Sequence, residues 1–371
     1  MKIAMLGTRG IPSSHGGFET AVEQLSVRLV ERGHEVVVFC RPHMIHYDGS
    51  VYKGVQLIKL PTIANKHLDT FVHTGISTLH LMIHRCDVAL FFVAGNSPFC
   101  FLPRLVGIPS AINVDGLDSK RAKWNRVAKL YLRFAEWLAP KAATETIADS
   151  RVIQRYYKER FRADSVFIPY GASMELVPGS EWLDKFNLKS REYVLFVGRL
   201  VPENCAHVLI EAFRGLKTDK KLVIVGDAPY ADEYIKKLKS EAGEDVIFTG
   251  YLFGDGYRQL SQNAYLAAVP TIVGGTHPVI VESLAAGNCV VVSDHPPNLE
   301  VIGDAGVSFS ASRGAIDLRE KLQMLLDAPD LVAAYRDKAR LRAQEYYNWD
   351  TVTDKYENLC YRLAGGTRPA A

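Results

Sequence analysis

The chain has 371 residues, of which 48% are hydrophobic and 23% charged, and its formal net charge is +3. This length exceeds that of one typical core and predicts two domains, while so small a net charge gives no indication of nucleic-acid binding. The six cysteines form no C-x-x-C pair, which is typical of reduced thiols and predicts a cytoplasmic protein. Since no apolar run is long enough to span a bilayer, we expect any membrane contact to be peripheral.

The first half alternates strand and helix patterns. A strand at residues 2–6 leads into the glycine-rich run GTRGIPSSHGGFE, a helical pattern continues to Gly33, and residues 34–40 form a second strand. This order predicts the βαβ unit of a doubly wound sheet. The glycines do not match G-x-G-x-x-G, and Arg41 follows the second strand in place of an acid, so an NAD site is not expected. Further strands are predicted at residues 55–60, 88–93, 111–114 and 146–148.

Polar residues follow two of these later strands. Asn96 and Ser97 come after one of them, and Asp115 and Asp118 come after the next. In open α/β sheets ligands bind at the carboxyl ends of the strands, so these four residues are site candidates by position. The alternative is that they only form turns, because Asn, Ser and Asp before Pro or Gly favour turns.

The segment KRAKWNRVAKLYLRFAEWLA predicts an amphipathic helix. One face carries apolar residues and another carries Arg126, Lys129 and Arg133. Such a helix rests on an anionic membrane, or it packs on the sheet with its basic face in solvent. The apolar face consists of Trp124, Val127, Tyr131, Phe134 and Leu138.

The second half repeats the same alternation. Strands are predicted at residues 193–197, 222–225, 246–248, 266–269 and 290–292, and residues 317–363 are mostly helical. The fold class is therefore α/β, with two facing Rossmann-like domains and an interdomain cleft as the expected site. We expect an N-terminal domain at 1–175, a C-terminal domain at 176–350, and a helix at 351–371 that packs back on the first domain.

The run VGGTHPVIVESLAAGN at residues 273–288 predicts a loop that feeds a helix N-terminus. Paired glycines precede the helix, Glu282 lies in its predicted first turn, and Gly287 occupies the C-cap region. Unpaired N–H groups and the positive end of the helix dipole suit a phosphate, and Glu282 can accept hydrogen bonds from sugar hydroxyls. The alternative is an ordinary capped helix.

When a diphosphate leaves a sugar, the negative charge that develops on it must be neutralised, and a cation serves this purpose. Arg199 follows the first strand of the second half, and its guanidinium matches phosphate oxygens, although a surface salt bridge would also account for it. The chain has no D-x-D run, and its His and Cys residues lack ligand spacing. We therefore expect neither a metal nor another cofactor, and protein donors would neutralise the charge.

Several longer motifs resemble a known family. VGRLVPEN, the Thr249-Gly250 pair and GGTHPVIVESLAAG resemble the donor-side motifs of the retaining, GT-B-fold glycosyltransferases of family 4. GTRGIPSSHGGFETAVEQL, NKHLDTFVHTGISTLHL, AGNSPF and VDGLDSKRAKW resemble more narrowly its rhamnosyltransferase-like branch. The resemblance covers nearly the whole chain.

The resemblance implies roles for individual residues. Arg199 would bind the donor diphosphate, Glu282 the ribose, and the amides from Thr276 to Val279 the transferred sugar and its β-phosphate. The base would lie near residues 249–252. The donor-binding residues are then Gly16, Gly17, Arg199, Asn204, Thr249, Gly250, Tyr251, Gly275, Thr276, His277, Pro278, Val279 and Glu282. The acceptor-side residues are His15, Asn96, Asp115 and Asp118, and the catalytic ones are Arg199, Asp115 and Glu282.

This chain departs from the wider family at three positions. The family has lysine at Asn204, an acid at Gly274 and often histidine at Asp115. These differences indicate another way of holding the sugar and phosphate. In the front-face mechanism implied by the resemblance, the departing phosphate accepts the acceptor's proton. Asp115 would orient the acceptor hydroxyl, or it would cap a helix or form a turn.

The predicted function is the transfer of a hexose, with L-rhamnose as one candidate, from a nucleotide-diphosphate sugar to a saccharide or lipid-linked saccharide. The resemblance places this reaction in surface polysaccharide synthesis, in the cytoplasm or at the inner face of the membrane. Two alternatives remain at this point. One is a nucleotide-sugar epimerase of the same fold, and the other is a non-catalytic subunit that binds nucleotide sugars.

Overall fold

Buried runs of β-branched and aromatic residues form the strands of two mainly parallel sheets. The computed structural model describes residues 1–13, 16–65, 68–114, 116, 119, 125–228 and 231–367. By its internal contacts the chain divides into two units. The first contains Met1–Tyr170, Gly274–Thr276 and Trp349–Ala371, and the second contains Gly171–Val273 and His277–Asn348.

The first unit is built on an eight-stranded sheet within the described residues. Its strand order is β3-β4-β2-β1-β5-β6-β7-β8, and its neighbours are parallel except for the β3–β4 pair. The strands are β1 Lys2–Leu6, β2 Glu35–Cys40, β3 Val51–Tyr52, β4 Val55–Lys59, β5 Val88–Phe92, β6 Ser110–Val114, β7 Glu145–Ala148 and β8 Val166–Phe167. The helices are α1 Gly17–Glu31, α2 Asp69–Ile83, α3 Leu102–Leu105, α4 Arg126–Ala142 and α5 Arg151–Phe161, with a 3₁₀ helix at Ala94–Phe99.

The second unit is built on a six-stranded parallel sheet, again within the described residues. Its strand order is β11-β10-β9-β12-β13-β14. The strands are β9 Tyr193–Val197, β10 Lys221–Val225, β11 Val246–Gly250, β12 Leu266–Val269, β13 Cys289–Ser293 and β14 Gly306–Phe309. The helices are α6 Glu181–Lys185, α7 Ala206–Arg214, α8 Asp232–Glu241, α9 Gly254–Asn263, α10 Pro278–Ala285, α11 Pro296–Ile302, α12 Ala315–Asp327 and α13 Pro329–Tyr346, with a 3₁₀ helix at Pro202–Asn204.

The last helix, α14 Trp349–Leu363, belongs to the first unit. Its Trp349 and Leu359 join the apolar core between α1 and the first sheet. Tyr356 is buried and donates its hydroxyl to Oδ1 of Asn113 at 2.5 Å, and burial raises the pKa of this phenol. The C-terminal segment is therefore part of the core of the N-terminal unit.

Candidate functional site

The loop after β1 is tied closely to the start of α1. The backbone N–H of Arg9 donates to Glu19 at 3.2 Å, and that of Ser13 donates to Glu23 at 2.6 Å. Gly10 has φ 113°, and a Cβ there would lie 2.6 Å from Sγ of Cys40, so only glycine fits. The loop is therefore held at the carboxyl edge of the first sheet.

Gly16 and Gly17 lie where they were predicted to offer backbone amides. Gly16 is the N-cap of α1 with φ 97°, and Gly17 is the first residue of that helix. Amides at a helix N-terminus attract anions, so this position suits phosphate oxygens. The geometry leaves their donor-binding role as a prediction.

The polar residues after β5 hold the backbone of the first unit in place. Nδ2 of Asn96 donates to the carbonyls of Phe92 at 2.8 Å and Gly7 at 3.3 Å, and Asn96 is buried. Ser97, also buried, donates to the carbonyl of Ala135 at 2.7 Å. Asn96 thus positions the glycine-rich loop, and a direct acceptor contact by its side chain is a prediction that this burial does not favour. Three further predicted acceptor-side residues lie outside the described residues: His15, Asp115 and Asp118.

Arg199 lies just beyond the carboxyl end of β9 and is exposed. Nδ2 of Asn204 donates to the carbonyl oxygen of Arg199 at 2.8 Å, which fixes the turn that carries the guanidinium. The neighbouring turn is very tight, because a Cβ at Gly226 would overlap the carbonyl oxygen of Gly198. Asn204 therefore acts on the backbone of Arg199 in this structure, a role that its position in VGRLVPEN did not reveal.

The end of β11 presents a pair of aromatic rings. Gly250, with φ 73°, ends the strand, and the Thr249 hydroxyl donates to its carbonyl oxygen at 2.9 Å. Tyr251 and Phe253 follow, and their exposed rings are nearly parallel, with centroids 5.7 Å apart. Such flat rings suit stacking on a nucleoside base. Tyr251 was predicted as a donor-binding residue from the sequence, and Phe253 was not.

Glu282 lies on α10, and its position corrects one detail of the prediction. The helix begins at Pro278 with His277 as N-cap, so Glu282 belongs to its second turn and not its first. Tyr257 on α9 donates its hydroxyl to Oε2 of Glu282 at 2.7 Å. This bond orients the carboxylate, and no spacing pattern in the sequence connects the two residues. Gly287 follows the helix with φ 71°, as expected for a left-handed terminus.

The predicted set of amide donors, Thr276 to Val279, has one member fewer than its four residues suggest. Pro278 has no N–H, so Thr276, His277 and Val279 are the donors of the predicted set. The segment Gly274–Thr276, which includes Gly275, belongs by its contacts to the first unit. There the Thr276 amide donates to Oδ2 of Asp149 at 3.1 Å, and its hydroxyl donates to the Asp149 carbonyl at 3.2 Å. Asp149 follows β7 and was not singled out from the sequence.

The candidate donor residues of the second unit share one edge of its sheet. Arg199, the Thr249-Gly250-Tyr251 run and the start of α10 follow β9, β11 and β12, which point in the same direction. Ligands of parallel α/β sheets bind at this carboxyl edge. Among the described residues, no group of three or more His, Cys, Asp or Glu side chains is arranged to hold a metal ion. Metal independence stays a prediction.

Two mainly parallel sheets, one in each unit, define a two-unit α/β protein of the GT-B class. A solved structure from Anabaena, HepE in complex with UDP-glucose, matches with a TM-score of 0.78 at 18% identity, covering 97% of this chain and 99% of that one. Residues 180–342 match the model "Glycosyl transferases group 1", and residues 1–173 match a "Domain of unknown function (DUF1972)". Residues 180–342 are thus similar to group 1 glycosyltransferases, and the protein is a glycosyltransferase. The predicted GT-B fold is confirmed.

Two relatives are similar to the chain over different lengths. An uncharacterized glycosyltransferase of Methanocaldococcus jannaschii is 27% identical over 98% of both chains. The N-acetylgalactosamine-N,N'-diacetylbacillosaminyl-diphospho-undecaprenol 4-alpha-N-acetylgalactosaminyltransferase of Campylobacter jejuni is 30% identical, but the match covers only 50% of each chain. The similarity to this second relative therefore describes about half of either protein.

Proposed function

We propose that the protein is a retaining, metal-independent hexosyltransferase. It moves a hexose, with L-rhamnose as one candidate, from a nucleotide-diphosphate sugar to a saccharide or lipid-linked saccharide in surface polysaccharide synthesis. The observation that carries this proposal is the clustering of a guanidinium, an aromatic pair and an oriented carboxylate at one sheet edge. These groups match a diphosphate, a base and a ribose respectively.

The donor is held by groups with separate tasks. Arg199 pairs with the diphosphate, and Asn204 keeps the backbone of Arg199 in place through the 2.8 Å bond to its carbonyl. Tyr251 and Phe253 stack on the base, and Glu282, oriented by Tyr257, accepts hydrogen bonds from ribose hydroxyls. His277 and Val279 lie at the start of α10 and donate to the sugar or its β-phosphate. A solved chain of the same fold is in complex with UDP-glucose, so uridine donors come first in any test.

The reaction proceeds on one face of the sugar. The acceptor hydroxyl oxygen bonds to the anomeric carbon, and the bond from that carbon to the diphosphate oxygen breaks with its electron pair leaving on the diphosphate. The hydroxyl proton passes to a departing phosphate oxygen. Arg199 stabilises the charge that develops there, and Asp115 orients the acceptor hydroxyl.

The name of a relative indicates the acceptor class. The similar Campylobacter jejuni enzyme is named for a diphospho-undecaprenol-linked saccharide, which favours a lipid-linked saccharide here as well. Product analysis separates this proposal from an epimerase. An epimerase would convert the donor without any acceptor, whereas the proposed transferase would release nucleoside diphosphate only as it forms a glycoside.

Replacing Arg199 with alanine tests the assignment. We expect turnover to fall roughly 100-fold or more, because about 3 kcal/mol of transition-state stabilisation is lost with the guanidinium. Release of nucleoside diphosphate from UDP, GDP and dTDP sugars, with a saccharide acceptor present, is the measurement. Arg340→Ala is the matched control, since Arg340 is an exposed arginine of α13 that pairs with Asp337. Wild-type turnover by Arg199→Ala would contradict the assigned role.

A further inference from the structure

α4 exposes an apolar row that shares Val127 and Phe134 with the predicted apolar face and adds Leu130 and Trp137. The side chains with the largest exposure are Val127 at 77%, Leu130 at 70%, Phe134 at 48% and Trp137 at 45%. Their spacing of three, four and three residues places them along one side of the helix. We call these four residues the α4 stripe. Of the two alternatives for the predicted apolar face, packing on the sheet therefore does not hold for Val127 and Phe134, while Tyr131 and Leu138 are half-buried.

The opposite side of α4 holds the helix firmly in the first unit. Ala135, Ala139 and Ala142 are buried there. The hydroxyl of Tyr131 donates to the carbonyl of Gly95 at 2.6 Å, and the carbonyl of Ala135 accepts from Ser97 at 2.7 Å. Small alanines allow the close approach to the core, and the large side chains are left outside. The outward direction of the α4 stripe therefore follows from specific packing.

The charges around the α4 stripe have one sign. α4 carries four cationic residues and a single acid, Glu136, which is buried and accepts from the backbone and hydroxyl of Ser119 at 3.3 and 3.2 Å. Lys141 lies over the ring of Trp137, 4.1 Å from its centroid. The cationic residues are Arg126, Lys129, Arg133 and Lys141. An apolar row with cationic flanks complements a surface that is apolar inside and anionic outside.

Exposed apolar residues also lie on α3 and at Phe101, which precedes it. The guanidinium of Arg104 donates to the carbonyls of Lys141 and Ala142 at 3.3 and 3.2 Å, which joins α3 to the end of α4. Phe101 and Leu105, beside Arg104, are also exposed. Exposed apolar residues on adjoining helices form an interaction surface more often than scattered single residues do.

A cavity with two arginines in its lining lies beside α4. Its volume is about 460 Å³, and Arg133 from α4 and Arg160 from α5 line it together with Glu136, whose carboxylate accepts from Ser119. Burial and the charge of Glu136 raise the pKa of the Tyr156 phenol in this lining, and both arginines act in the opposite direction. Two guanidiniums from separate helices suit a phosphate group.

We propose that α4 is the surface by which this protein binds an anionic membrane. The α4 stripe enters the boundary between head groups and acyl chains, and Arg133 and Arg160 take the phosphates of lipid head groups. Within the described residues, no helix has the length and apolarity to cross a bilayer, so the contact is peripheral. A second copy of the chain fits less well, because cationic flanks would face each other. The proposal does not depend on which sugar is transferred.

Vesicle co-sedimentation of the full chain tests the proposal. We expect binding to vesicles of phosphatidylcholine mixed with phosphatidylglycerol, weaker binding at high salt, and little binding to phosphatidylcholine alone. Leu130→Asp should weaken vesicle binding by at least roughly tenfold, because a carboxylate replaces an apolar side chain that the membrane would bury. Leu341→Asp is the matched control, since Leu341 on α13 is a helical leucine with 66% exposure. Its vesicle binding should equal that of the wild type.

Equal loss in Leu130→Asp and Leu341→Asp, or no loss in Leu130→Asp, would overturn the proposal. A dimer in sedimentation velocity that Leu130→Asp dissociates, with vesicle binding unchanged, would assign the α4 stripe to a second copy instead. If Leu130→Asp does not fold, the double variant Arg133→Gln with Arg160→Gln carries the test. It should lose binding to the anionic vesicles, while Lys236→Gln, an exposed charge loss on α8, should retain it.

Discussion

At the scale of single residues, the carboxylate of Glu282 depends on a partner from another helix. Tyr257 on α9 donates to Oε2 of Glu282 at 2.7 Å, so the carboxylate orientation is set before any ligand arrives. If Glu282 accepts from ribose hydroxyls, the hydroxyl of Tyr257 contributes to donor affinity without touching the transferred sugar. Tyr257 is then a positioning residue.

Tyr257→Phe removes only this hydroxyl. We expect the donor KM to rise about fivefold, which corresponds to one hydrogen bond of about 1 kcal/mol, while kcat changes little. Steady-state kinetics with varied donor is the measurement. Tyr346→Phe on α13 is the control, because Tyr346 is exposed. A fall in kcat at unchanged KM would place Tyr257 in the chemical step and contradict the positioning role.

At the scale of elements, one side of α2 is polar but buried, and its His73 is kept neutral by that burial. His73 is fully buried, and its Nε2 donates to the carbonyl of Cys40 at 3.1 Å. Burial, assisted by the charge of Arg41, lowers the pKa of His73 to about 4 from an ordinary 6.5. Because the unfolded chain takes up a proton below pH 6.5 and the folded chain does not, acid favours unfolding at this site.

The free energy of unfolding should therefore decrease as pH falls from 6.5 to 4, by up to about 3 kcal/mol from this group. Below the folded pKa, the contribution of His73 is lost and the dependence levels off. His73→Gln removes the titration, so its stability should change less across the same pH range in urea unfolding. His46→Gln, at an exposed histidine, should keep the wild-type dependence. Identical slopes for His73→Gln and wild type would argue against a buried neutral histidine.

The strands and helices differ in how well local sequence patterns predict them. The long buried strands are readable because each is a continuous apolar run, as β13 and β5 illustrate. The two-residue strands β3 and β8 are half-exposed and too short for a periodic signal. α4 was predicted as a helix, but its orientation was not, because alanine packing against the 3₁₀ helix at Ala94–Phe99 overrides the larger apolar side chains.

The candidate site also contains residues that the sequence identifies and residues that it does not. Arg199 and Glu282 are identifiable because each follows a strand or a glycine-rich loop in the sequence. Tyr257 and Asp149 are not, since each acts through a contact across the fold. Phe253 contacts Tyr251 two residues earlier in a loop, where no helix or strand period predicts the pair. Sequence spacing reports neighbours along one helix or strand and is silent on such pairs.

At the scale of the whole molecule, the two ends of the chain complete one unit. Arg32 at the end of α1 pairs with Asp354 and Glu357 of α14, both at 2.8 Å, and the buried His34 donates to Glu357 at 2.9 Å. With the apolar side of α14 also in the core, the first sheet is not fully covered until the last helix is made. The stability of the N-terminal unit therefore depends on residues more than 300 positions away.

Truncation after Asn348 tests this dependence. Loss of α14 removes Trp349, Val352 and Leu359 from the core, which we expect to cost at least about 5 kcal/mol, a large part of a domain's stability. Hydrogen exchange followed by mass spectrometry should show that β1 and β2 lose protection while β9 and β10 keep it, because the latter belong to the second unit. Truncation after Gly365, which leaves α14 intact, should preserve protection in both sheets. Unchanged protection of β1 and β2 in the shorter chain would mean that α14 lies on an already stable unit, and the contacts of Arg32 and His34 with α14 would then not be needed for the stability of the first sheet.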